Sequence, residues 1–104
     1  MTFNLLTMIM WACVASTGAT IVYIAYLNLD EITRWFLERE SLIVDQDDIA
    51  FTVQEKQSSG HYRIIQGIFN TKNHQIVEAR TIKYDLIDRE IANAHSDAEL
   101  VIYQ

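Results

Sequence analysis

"TMIMWACVASTGATIVYIAYLNLDE", residues Thr7 to Glu31, is the stretch whose reading decides the fold. From Leu5 to Leu27 no side chain is charged, and most are large and apolar. A run of this kind is a membrane span, a cleaved secretion signal, or the core helix of an oligomer. A span needs roughly 20 apolar residues to cross about 30 Å of hydrocarbon, and the length fits. Tyr23 and Tyr26 stand near its C-terminal end, where an aromatic belt is expected. A cleaved signal begins with a basic segment and carries a shorter apolar stretch. No Lys or Arg precedes Arg34, and Met1 is still present, so neither a processed signal nor lipoprotein cleavage before Cys13 is expected. A core helix that is apolar all round needs a large host, which a chain of 104 residues supplies only within an assembly. The expectation is a single transmembrane helix over residues 1–28, with a soluble oligomer built round an apolar helix as the alternative.

At 100° per residue, Ala12, Ala15, Ser16 and Ala19 share one stripe with Tyr23 below them. Small residues let helix backbones approach closely inside lipid. That stripe is the expected docking face for another membrane helix, and the bulky side carrying Leu6, Met10, Ile21 and Ile24 is expected to face lipid. Arg34 and Arg39 follow the run and the N-terminal side offers only its amine. The positive-inside tendency then places the N-terminus outside and the remainder on the cytoplasmic side.

Residues 29–41 read as an amphipathic juxtamembrane helix. Asn28 is a suitable N-cap with Glu31 three residues on. Leu29, Ile32, Trp35 and Phe36 lie on one side, and Asp30, Glu31, Arg34 and Glu38 on the other. Trp35 and Phe36 with Arg34 and Arg39 form a candidate membrane interface, since Trp suits the headgroup level and Arg can snorkel. The alternative is that the apolar side packs on the following domain, because an acidic polar face is repelled by anionic lipid.

Residues 42–104 read as a small antiparallel β-β-β-α-β domain, which makes the whole chain α+β. "DIAFTVQEK" alternates as a strand, "YRIIQGIFN" follows the "SSGH" turn, and "QIVEARTIKY" follows "TKNH". Gly67 within the second strand predicts a bulge or close backbone approach. Asp85 is placed to cap a short helix over "LIDREIANAH", and "ELVIYQ" closes the domain. About sixty residues bury only a marginal core by themselves, so added contacts from the N-terminal part or a partner are expected.

Little points to chemistry. Net charge is −6, and the eight Lys and Arg are scattered among fourteen acids, which argues against nucleic acid. Cys13 is the sole cysteine, so no intrachain disulfide forms. His61, His74 and His95 show no metal-ligand spacing, and the Asp45, Asp47, Asp48 cluster lacks the Gly and Glu of a calcium loop. No nucleophile, phosphate-loop or zinc-protease motif occurs. No cofactor, no metal and no catalytic residue is expected. Arg63, Glu78 and Arg80 are a candidate partner patch, with Gln66 beside them and cross-strand pairing as the plainer explanation. The function expected is an accessory or structural subunit of a larger membrane protein complex. A membrane-tethered binding or regulatory module is the alternative. The expected partners are other membrane protein subunits and the lipid bilayer.

Overall fold

A computed structural model of the chain describes residues 4–15, 20–96 and 98–103. It is a mixed α+β fold with a five-stranded sheet in the order β1-β4-β3-β2-β5. The elements are α1 (Leu5–Ala15), β1 (Thr20–Leu27), α2 (Leu29–Glu38), a 3₁₀ turn (Glu40–Leu42), β2 (Asp48–Lys56), β3 (Tyr62–Asn70), β4 (Gln75–Ile87), α3 (Arg89–Ala94) and β5 (Leu100–Tyr103).

The transmembrane helix is not supported. Among the described residues no helix is long and apolar enough to cross a membrane. The apolar run divides into α1, of 11 residues, and β1, of 8. Eleven residues rise about 16 Å, half of what a bilayer core requires. Composition accounts for the division. "LLTMIMWACVA" is rich in unbranched helix formers, whereas "TIVYIAYL" is dominated by β-branched and aromatic residues that suit a pleated surface. The two halves are equally apolar but differ in the period that buries them.

The meander expected from the sequence is present. β2 and β3 pair antiparallel from Asp48↔Asn70 to Lys56↔Tyr62, and β3 pairs with β4. Two differences follow from β1. It joins the sheet parallel to β4, from Thr20↔Arg80 to Leu27↔Ile87, so the sheet has one strand more than the expected domain. The same partner prolongs β4 to Ile87. The cap of α3 is accordingly Asp88, whose side chain accepts from the Glu90 amide, and Asp85 remains within β4.

Each sheet face has its own cover. On one, Ile9 of α1 is fully buried with Phe51, Val53, Ile65 and Phe69. On the other, Ile32 of α2 and Ile91 of α3 are buried with Leu27, Ile64 and Ile82. α2 starts where expected, with the Asn28 Oδ1 accepting from the Glu31 amide at 2.8 Å. The β3–β4 turn is organised by Asn70, whose Oδ1 accepts from the amides of Lys72 and Asn73.

Gly67 is required by crowding. A Cβ there would lie 2.8 Å from the Glu78 carbonyl oxygen and 2.9 Å from the Phe51 ring, and the β3–β4 register shifts next to it, between Ile68 and Phe69. Gly67→Ala is expected to lower stability by about 1–3 kcal/mol through overpacking, and an unchanged urea midpoint would contradict the close approach. A second expectation follows from α1. Ile9 is 0% exposed and Trp11 67%. Ile9→Ala should cost about 2–5 kcal/mol and Trp11→Ala within about 0.5 kcal/mol. Equal, small effects in urea unfolding would show that α1 does not pack on the sheet.

Candidate interaction surface

The chemistry-bearing side chains sort into two internal networks and one exposed edge. The first network joins α2 to the sheet. Gln66 is fully buried; its Nε2 donates to the Ile32 carbonyl at 2.8 Å and its Oε1 accepts from Arg80 Nε at 2.8 Å. The Arg80 guanidinium reaches Glu31 at 3.7 Å. Arg39 donates from Nε to Glu78 at 2.7 Å and from its guanidinium to the Trp35 carbonyl at 3.2 Å. Both guanidinium carbons lie near the Trp35 ring, Arg39 at 4.1 Å and Arg80 at 5.4 Å from its centroid, within cation–π range. Among the described residues no buried side-chain nitrogen or oxygen of this network lacks a partner.

The second network ties down β5. His95 Nδ1 lies 3.1 Å from the Ala98 carbonyl, which can only accept, so the ring proton sits on Nδ1. Nε2 then accepts from the Thr52 hydroxyl at 2.9 Å, and the Thr52 oxygen accepts from Tyr103 at 2.9 Å. Burial lowers the His95 pKa below its ordinary value of 6.5, opposed by the backbone contacts at Ala98 and Glu99. This imidazole is committed to holding β5 and the loop after α3. His61 precedes β3 and His74 follows it, so they stand at opposite ends of that strand. Among the described residues no group of His, Cys, Asp and Glu could hold a metal ion. The acidic cluster serves its own turn, with Asp45 accepting from the Asp47 amide and Asp48 from the Asp45 amide. Burial, with Glu55 adding, pushes the Cys13 thiol up to about 11, far from a reactive thiolate at neutral pH.

The sequence-selected residues are dispersed by the fold. Ala12 packs beside the core under α1. Ser16, Ala19 and the side chain of Ala15 lie outside the described residues. Tyr23 is on β1. Trp35 is buried, Phe36 packs edge-on to it at 5.5 Å and against Tyr103 at 5.4 Å, and Arg34 pairs with Glu31 at 3.6 Å. Glu78 and Arg80 face α2 together, whereas Arg63 is on the opposite sheet face, bound to Glu55 at 2.5 Å. The patch of three is therefore not assembled.

The exposed edge is β1. β4 pairs with one side of it, and among the described residues nothing pairs with the other. Its eight residues carry no charge. Ile21 is 64% and Tyr23 63% exposed, and Ala25 is exposed beside them, while Val22 and Ile24 are half-buried toward α2. The Tyr23 hydroxyl donates to Asp85 of β4, an interaction that raises the tyrosine pKa. Sequence reasoning placed Tyr23 on a helical stripe; the β-branched and aromatic composition of "TIVYIAYL" was the signal for a strand instead. At the other end of the sheet, Phe36, Leu37, Ile43, Ile49 and Ile102 line an apolar groove of about 570 Å³ beside the four-residue strand β5. No family model matches the chain, and neither a curated protein nor a solved structure matches it.

The His95 network predicts a pH response. The unfolded chain binds that proton more readily than the folded one. The contribution of His95 is fully present above 6.5 and is lost as pH falls from there toward the lowered folded-state pKa. Wild type should therefore lose more stability than His95→Gln between about pH 7 and pH 5, as read from urea midpoints. Parallel pH profiles would contradict a buried neutral imidazole.

Proposed function

We propose that this chain is a structural subunit, an interaction protein that joins a larger assembly through β1 and has no catalytic step of its own. The observation that carries the reading is the unprotected edge. Edge strands are normally kept from pairing by shortness, charge, proline or bulges. β5 is short, whereas β1 has eight residues and no charged or proline residue. Exposed Ile21 and Tyr23 flank the open row of backbone donors and acceptors, the arrangement used in strand addition. The two polar networks support the same reading, because their groups are occupied in holding the fold. The accessory-subunit role inferred from sequence thus carries over without its membrane-spanning anchor, and the docking element becomes a strand.

Ile21→Lys places a charge beside the open edge, and Ile102→Lys places one at the opposite side of the sheet. With folding verified by circular dichroism, Ile21→Lys should strip the proteins that co-purify with the full chain while Ile102→Lys retains them. An unchanged set of associated proteins with Ile21→Lys would refute docking through β1.

A further inference from the structure

The β1 edge is complementary to itself. Along Thr20–Tyr26 the exposure runs exposed, exposed, half-buried, exposed, half-buried, exposed, exposed, and so reads the same from either end about Tyr23. We propose that the partner of this edge is a second copy of the chain, with the two β1 strands pairing antiparallel across a twofold axis at Tyr23; the proposal rests on β1 being the docking element.

A twofold perpendicular to a sheet keeps each face on its own side, so paired residues must share a face and the axis must pass between one residue and its own counterpart. Centring on Tyr23 pairs Thr20 with Tyr26, Ile21 with Ala25 and Val22 with Ile24, and sets Tyr23 against its counterpart. Each pair matches in exposure. The bulky Ile21 meets the small Ala25, and the half-buried Val22 meets the half-buried Ile24. Centring on Ile24 instead would set exposed Ile21 against Leu27, which is fully buried in its own core. The two sheets would join into one of ten strands, five from each copy.

Charge also selects this edge. Two copies at net charge −6 repel, yet β1 is uncharged, and the charges beside its centre on the same face of β4 are Lys83, paired in register with Tyr23, and Asp85. They cancel locally. The two Lys83 would be separated by both β1 strands, about 14 Å at the usual strand spacing, beyond the roughly 8 Å screening length at physiological salt. A contact of one strand pair is small for a protein interface, and the dimer is a reversible one.

Sedimentation of the full chain over a concentration series tests this. The apparent mass should rise from 12.1 kDa toward twice that value, and Tyr23→Lys, which sets like charges opposite each other, should weaken the rise several-fold. Register is read by cysteine cross-linking in a Cys13→Ala background, with folding checked by circular dichroism. Tyr23→Cys should form a disulfide-linked dimer on mild oxidation. Ile21→Cys and Ala25→Cys should each fail alone and cross-link when mixed. A species of 12.1 kDa at all concentrations, or cross-linking that ignores this pairing, overturns the proposal. If the chain stays monomeric while Ile21→Lys still strips co-purifying proteins, self-pairing fails and the subunit reading stands. If neither effect is seen, both fail.

Discussion

β3 is buried on both faces, and that constraint organises the rest of the molecule. Ile65 and Phe69 point to one side of the sheet, Ile64, Gln66 and Ile68 to the other, and all are buried. A strand with two buried faces needs two covering layers, and the meander of β2, β3 and β4 supplies neither. The layers come from the apolar N-terminal run and the amphipathic segment after it. α1 lays Ile9 over Phe51 and Phe69, and α2 lays Ile32 over Ile64 and Ile82. A domain of about sixty residues is marginal in its buried fraction, which is why the leader folds back onto it.

Burial of β3 also explains the polar chemistry. Gln66 at the centre of the sheet would cost roughly 1–3 kcal/mol if left unpaired. It is matched by a helix carbonyl on one side and a guanidinium on the other. Among the described residues no buried side-chain nitrogen or oxygen lacks a partner. Arg80, Arg39, Trp35 and Glu78 therefore read together as the lock that sets α2 on the sheet. Thr52, His95 and Tyr103 perform the same office for β5. Among the described residues the eight-residue β1 is the longer of the two unpaired sheet edges, and the proposed association is placed there for that reason.

Local sequence was legible where turns bracket an alternating run. β2 and β3 begin and end where the alternation and the "SSGH" and "TKNH" turns place them, and Gly67 marked the close approach to β4. The Asn28 cap was legible for the same local reason. β4 was read short and the α3 cap misplaced because both depend on pairing with β1, a contact between distant residues. The site was less legible. Tyr23 was singled out, but on a helical stripe with Ala12, Ala15, Ser16 and Ala19 that β1 does not preserve. Arg63 was grouped with Glu78 and Arg80, although the pleat puts it on the other face.

By itself the sequence determined the turns of the meander, the Asn28 cap, the net acidity and the presence of one long uncharged run, because turn chemistry, capping and alternation act over a few residues. Only the tertiary structure decided what that run became. Hydrophobicity favours taking apolar residues of this run out of water, and lipid, a partner helix or this chain's own sheet can each supply such burial. The choice is made by β3, which needs cover on both faces: α1 supplies one, and α2 with α3 the other. It places "LLTMIMWACVA" on one face of the sheet and "TIVYIAYL" at its edge.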